Sequence, residues 1–360
     1  MDNHRPFQQK LPRHGAILAL ASAVLFGAST PFAKALLGST DPWMLAGLLY
    51  LGSGVGLIVV RGVRRFAGGK RGQEVRVTGS GWFWLAGAIL AGGVTGPVLL
   101  MVGLTRTDAS TASLLLNLEG VFTVLLAWFV FRENFDRRIA FGMAAIAAGG
   151  IVLSWQGEAS VAGLLGPLAI AGACLAWALD NNLTRRVSLS DPLQVAMIKG
   201  LVAGGINFTL ALIRGEAVPD ADIVLAAGTV GLFGYGFSLV LFVLALRHVG
   251  TARTGAYFST APFIGAAIAL VGFGEAVTVQ LVVAGALMAF GVWLHLTEHH
   301  DHVHLHAAME HTHNHHHDAH HQHAHGPSDP VGEPHSHGHS HARLRHAHPH
   351  YPDAHHEHDH

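Results

Sequence analysis

Histidine is where this chain concentrates its capacity for metal chemistry: 25 of its 29 histidines lie between His299 and His360. They recur as His-x-His and His-His, with Asp301, Glu310, Asp318, Asp353, Glu357 and Asp359 interspersed. The candidate ligands are His300, His302, His304, His306, His311, His313, His315, His316, His317, His320, His321, His323, His325, His335, His337, His339 and His341. Neutral imidazole with carboxylate suits Ni²⁺, Co²⁺, Zn²⁺ or Cu²⁺, and the lack of cysteine argues against a soft Cu⁺ site. Spacing does not choose among the four. A second reading of the same stretch is a pH-sensitive polycation, because imidazole has an unperturbed pKa of about 6.5.

The other candidates are polar residues set in apolar surroundings, where charge is costly and faces a cavity or a partner. Glu119 is foremost, either as a packing residue or as a cation ligand or proton carrier. Asn117 is two residues away, about 200° round a helix, so it need not share that face. Asp180, Asn181 and Asn182 are consecutive and cover a similar arc, so at least one faces the interior. Asp180 has an alternative partner in Arg185 or Arg186. Lys199 reads as a side chain snorkelling to the membrane surface, and Tyr235 and Tyr257 could line a pathway, although aromatic packing is the preferred reading. Gly92 and Gly234 suit close helix crossings. The single cysteine, Cys174, excludes a disulfide within one chain and reads as a small buried filler. No nucleophile–base pair, phosphate-binding glycine loop or dinucleotide fingerprint occurs, so an enzyme is not expected and no cofactor is required.

The elements that must position these residues are membrane helices. Half of the 360 residues are hydrophobic, 12% are charged and the mean hydropathy is +0.38, too apolar for a soluble domain. Net charge is −1, with nothing to attract nucleic acid. Runs long enough to cross about 30 Å of hydrocarbon are expected at 15–37, 43–61, 81–104, 109–131, 138–155, 163–184, 192–213, 222–246, 252–273 and 277–297. The first is too long for a signal peptide core and is retained. Lys and Arg gather at Arg61, Arg64, Arg65, Lys70, Arg71, Arg76, Arg132, Arg137, Arg138, Arg185, Arg186, Arg247 and Arg253, while the alternate loops hold only Arg106 and Arg214. That asymmetry places both termini in the cytoplasm of a multi-pass inner-membrane protein. Beyond Thr297 no apolar periodicity remains, and Gly326, Pro327, Pro330 and Pro334 break any helix, so a disordered tail is expected.

The spans repeat. A shift of 142 residues superposes Glu133 on Glu275, Leu104 on Leu246 and Gly149 on Gly291. Earlier in the halves, a shift of 151 places Phe26-Gly27 on Trp177-Ala178, Lys34 on Arg185, and Ser29-Thr30-Pro31 on Asp180-Asn181-Asn182. Two five-helix units follow, the second inverted because five is odd, an arrangement that puts a substrate site near the midplane. The expected organisation is a cytoplasmic N-terminus at 1–14, first unit 15–155, second unit 163–297 and tail 298–360.

The openings "VLFGASTPFAK" and "CLAWALDNNLTRR", with the runs "ASTASLLLNLEGVFTVLLAWFVFRE" and "GTARTGAYFSTAPFIGAAIALVGFGE", resemble the EamA-type branch of the drug/metabolite transporter superfamily. The resemblance implies the ten-helix fold over residues 15–297 and an exporter, without naming the substrate, since that family exports amino acids, metabolites and drugs. One departure is Glu119-Gly120, where the family often has proline; the second half keeps Pro262. The reading preferred on sequence is an exporter of divalent transition metal, nickel or cobalt before zinc, coupled to protons, with the tail collecting or sensing the ion. Glu119 and Asp180, with Asn181, Asn182 and Asn117, would form the pathway, although the expected crevice lacks histidine and His248 and His295 sit at span ends. Two alternatives stay open: an exporter of an amino acid or small metabolite regulated by metal on the tail, and a membrane-anchored metal store or sensor. The partners are the cargo and the lipid bilayer, with a homodimer left open.

Overall fold

Hydrocarbon offers no water to bond a peptide group, so a chain this apolar must satisfy its amides and carbonyls inside helices. The computed structural model describes residues 13–66, 77, 79, 81–131, 137–155, 161–185, 187, 190–297 and, in the tail, the backbone of 301–306, 309–315, 335–341 and 344–349. The first half contains α1 (Arg13–Leu36), α2 (Pro42–Phe66), α3 (Gly81–Ala88), a π-helical segment π1 (Ile89–Thr95), α4 (Gly96–Leu104), α5 (Ala109–Leu115), α6 (Leu118–Phe131) and α7 (Arg137–Ser154). The second contains α8 (Val161–Arg185), α9 (Pro192–Ile213), α10 (Ala221–Gly231), π2 (Leu232–Phe237), α11 (Ser238–Phe258), α12 (Ala261–Gly272) and α13 (Val279–Leu296).

Among the described residues, nine segments are long and apolar enough to cross a membrane. The expected span 252–273 differs. Helix α11 runs through the expected loop at 247–251, and a turn at Ser259–Thr260 leaves α12 as a 12-residue piece. The expected span 109–131 is also broken, by a turn at Leu116–Asn117. Both breaks have the same cause. Asn117 Nδ2 donates to the Leu114 carbonyl at 2.9 Å, and Thr260 Oγ1 donates to the Tyr257 carbonyl at 2.6 Å. A side chain that bonds the carbonyl three residues back competes with the helical amide, and Pro262 adds a missing donor to the start of α12. The breaks agree with the 142-residue shift to within one residue, and π1 and π2 are related the same way, with Gly92 opposite Gly234.

Counterparts in the two halves pack on each other. Helix α2 lies along α9 and α7 along α13, while α1 packs on α11 and α12 and α8 on α4 and α6. The α2–α9 crossing is close because glycines face it: a Cβ on Gly200 would sit 2.6 Å from the Gly54 nitrogen. Such approach through small residues is how helices gain dispersion energy in lipid, where apolar burial alone drives nothing. Both helices start alike, on Asp41-Pro42 and Asp191-Pro192. Asp41 Oδ1 accepts from the Trp43 amide at 2.7 Å, and Asp191 Oδ1 from the Leu193 amide at 2.9 Å, each meeting amides that lack helical partners. Large apolar side chains such as Phe83, Phe129, Ile213, Leu225 and Val271 remain exposed around the outside, as a lipid-facing surface requires. The helical body is an all-α membrane protein.

In the tail, β1 (Asp301–His306) pairs antiparallel with β4 (Leu344–Pro349), and β2 (Met309–His315) with β3 (His335–His341). Their His-x-His alternation has a period of two. The candidate ligands His300, His316, His317, His320, His321, His323 and His325 lie outside the described residues.

Candidate functional site

The two breaks and π2 line a cavity of about 520 Å³, and π1 stands behind its wall residues Tyr50 and Trp177. Its lining runs from the middle of the bundle to the arginine-rich end, where Ile139, two residues into α7, and His295 and Leu296, at the close of α13, complete it. At the opposite end the halves are joined. Glu275, in the turn before α13, accepts from the Ala109 and Ser110 amides at 2.8 Å each, capping α5 from the other half. Arg214 of the second half lies 5.4 Å from the centre of the Trp43 ring of the first, while within the first half the Lys34 ammonium meets the Leu104 carbonyl.

Glu119 stands in the first turn of α6, immediately after the break, and lines the cavity. Its Oε1 accepts from Asn181 Nδ2 of α8 at 2.6 Å, so the pathway residues expected from the two halves do meet. Asn117 also lines the cavity, although a continuous helix would turn it away; the turn at Leu116–Asn117 removes that constraint. Asn182 does not take part in the contact, since its Nδ2 bonds back to the Ala178 carbonyl at 2.8 Å. Asp180 forms a buried ion pair with Lys199 of α9 and accepts from Thr184 Oγ1 at 2.9 Å. Lys199 therefore points inward, and the expected snorkelling is corrected: with Asp180 4% and Lys199 8% exposed, the two buried charges compensate each other.

The π segments shape the wall. A wider π turn releases carbonyls from the regular ladder. The Gly92 carbonyl accepts from both Tyr50 Oη and Trp177 Nε1 at 2.9 Å, and the Gly93 carbonyl from Asn207 Nδ2 at 3.0 Å. A Cβ on Gly92 would collide with the Asp180 carboxylate, which explains glycine there. Cys174 is fully buried, and its Sγ lies 3.6 Å from the Leu115 carbonyl beside the first break.

Sequence reasoning missed the aromatic wall. Phe26 meets the rings of Trp177 and Tyr235 edge-on at 6.1 Å each, Tyr50 lies 5.2 Å from Tyr235, and Phe242 lies 4.9 Å from Phe258. All six line the cavity. Tyr235, for which packing was the preferred reading and lining a pathway the alternative, is a wall residue. The expectation that the crevice lacks histidine is corrected too, since His295 lines it with Nε2 3.1 Å from the Ile139 carbonyl. The His248 side chain lies outside the described residues. The signal was available as aromatics at π and break positions, but periodicity marks them only as apolar.

Residues 13–155 and 164–297 each match the EamA-like transporter family. An uncharacterized transporter of Methanothermobacter thermautotrophicus is 27% identical over 293 residues, covering 78% of this chain and 85% of that protein. A protein of Salmonella typhimurium described as a probable amino-acid metabolite efflux pump is 24% identical over 208 residues, covering 52% of this chain and 67% of its own. A solved crystal structure of a protein superposes with a TM-score of 0.59 at 20% identity, covering 79% of this chain and 98% of its own, which shows a shared fold.

Proposed function

The chain belongs to the EamA-like transporter family, and from that premise we propose that it exports a small organic metabolite bearing a protonated amine, amino acids included, across the cytoplasmic membrane. One observation carries this reading: in an aromatic-walled cavity of about 520 Å³, the Glu119 carboxylate is held by an amide, and among the described residues it has no ion-pair partner. Aromatic faces attract an ammonium group, and a hydrogen bond to a carboxylate contributes roughly 1.5–3 kcal/mol. The volume is in the usual range for small-molecule sites, about 300–1,000 Å³. The relative described as a probable amino-acid metabolite efflux pump supports the same class of cargo.

A divalent metal as cargo is supported less well. Such an ion needs about four donors close to 2 Å. In this cavity Asp180 is already neutralised by Lys199, and among the described residues no three His, Cys, Asp or Glu side chains converge. The concentration of Lys and Arg in one set of loops supports placing that end, and the mouth of the cavity, in the cytoplasm. Both termini belong on that side. Glu119 can hold the substrate's ammonium or a proton but not both, which makes exchange of substrate for proton the natural coupling.

Proteoliposomes loaded with labelled amino acids or amines test this. The expected result is efflux driven by an inward proton gradient, with Glu119→Gln reducing it by about thirtyfold, equivalent to about 2 kcal/mol of lost charged hydrogen bonding. Wild-type efflux from the glutamine variant, or transport of Zn²⁺ or Ni²⁺ in place of any organic cation, would overturn the assignment.

A further inference from the structure

The balance of charge in the cavity wall carries information about the cargo. Among the described residues, that wall holds two carboxylates, Glu119 and Asp180, and one lysine or arginine, Lys199. Lys199 and Asp180 neutralise each other, so an ionised Glu119 leaves the wall with one negative charge in excess. Donors that an anionic group would need are turned to the protein instead. Tyr50 Oη and Trp177 Nε1 both donate to the Gly92 carbonyl at 2.9 Å. Asn117 Nδ2 donates to the Leu114 carbonyl at 2.9 Å and Thr123 Oγ1 to the Glu119 carbonyl at 2.8 Å. Asn181 Nδ2 donates to Glu119 Oε1 at 2.6 Å, and His295 stands at the mouth against the Ile139 carbonyl. A second carboxylate brought in beside Glu119 would meet a like charge and find Lys199 already paired. An unmatched charge in a buried site is costly.

We propose that the Asp180–Lys199 pair makes this cavity selective for singly charged aromatic amines and against the corresponding zwitterionic amino acids. The inference rests on the reading of Glu119 as the ammonium site and narrows its cargo. Phe26, Trp177, Tyr235 and Phe258 offer ring faces and edges to an aromatic body, and such faces also attract its ammonium group. Selection against the carboxylate comes from repulsion and an unpaired charge, a penalty on the wrong ligand and not an added contact to the right one. The pair sets the sign. With Asp180 neutral, Lys199 would be free to meet a carboxylate, and the wall would carry one charge of each kind, which is the pattern of a zwitterion.

The test uses the purified full-length chain in detergent, with bound tritiated tryptamine displaced by unlabelled tryptamine, tryptophan or tryptophanol. Tryptophan adds a carboxylate to tryptamine, and tryptophanol puts an uncharged hydroxymethyl group at the same place. Tryptamine and tryptophanol are expected to compete with similar affinity, and tryptophan to be weaker by about tenfold or more, because like charges are being brought together. In Asp180→Asn that gap should close or reverse. Tryptophan binding as well as tryptamine would overturn the inference and leave the amine reading intact. Tryptophanol as weak as tryptophan would overturn it in favour of exclusion by size. An unchanged gap in folded Asp180→Asn protein would overturn it as well, since the pair would then not set the balance. The wild-type ranking decides the question alone if that variant is recovered unfolded. Absence of saturable tryptamine binding would overturn the inference, and efflux of another amine through Glu119 would show that the amine reading survives it.

Discussion

Removing one member of the Asp180–Lys199 pair leaves the other charge buried, with Gly92 packed against the carboxylate. Breaking a buried pair costs about 3–5 kcal/mol, whereas replacing both partners by neutral groups of similar size is close to neutral. Asp180→Asn and Lys199→Met should each lower the thermal unfolding midpoint of the purified protein sharply, and the double variant should recover most of the loss. If the double variant is as unstable as the two losses added together, the pair is not what holds these groups. Legibility in the sequence ends at this scale. Glu119 and Asn181 stand out as polar residues in apolar helices, and the structure brings them together. Lys199 stands out equally but reads as a surface residue, because its distance from the helix end gives depth and not the identity of the neighbouring helix. Its partner is 19 residues away in another helix, a relation no local pattern encodes.

Helices were legible wherever apolar composition alone decides them, so α1, α7, α8, α9 and α13 fall within a few residues of their expected spans. The breaks were not. A turn made by one side-chain hydrogen bond, as at Asn117 or Thr260, leaves the surrounding hydropathy unchanged. The glycines that set helix spacing were legible as a composition but not as particular contacts. At the α2–α9 crossing, a Cβ on Gly204 would lie 2.9 Å from both Leu51 Cγ and the Tyr50 carbonyl carbon. Gly204→Leu must therefore push the two helices apart, and overpacking of this kind costs roughly 1–3 kcal/mol. Reduced yield of folded protein and a lowered unfolding midpoint are expected. An unchanged midpoint would mean that the crossing is looser than these contacts require.

For the molecule as a whole, the cavity reaches one end while Glu275 and Arg214 tie the halves together at the other. Glu275 is the component open to a clean test, because its two bonds end on backbone amides of α5. Gly120 lies in the cavity wall with free space around it, so a cysteine there reports access. In a Cys174→Ala background, Gly120→Cys should react with a membrane-impermeant thiol reagent mainly from the arginine-rich side. Adding Glu275→Gln should raise labelling from the other side severalfold. Equal labelling with and without that change would show that Glu275 merely caps a helix. The two-half plan behind this asymmetry was visible in the sequence, as Glu133 against Glu275 and Gly92 against Gly234.

The Gly92 carbonyl accepts one hydrogen bond from Tyr50, in the first half, and one from Trp177, in the second. A carbonyl oxygen has two lone pairs, and either bond suffices to keep it from being stranded in a medium without water. Were the halves to tilt against each other, one donor could withdraw while the other stayed. In such a motion the contact would work as a handover, letting the cavity wall change partners without passing through an unbonded state. The cost of motion at this point is then that of losing one of two bonds, a small barrier placed where the moving parts meet.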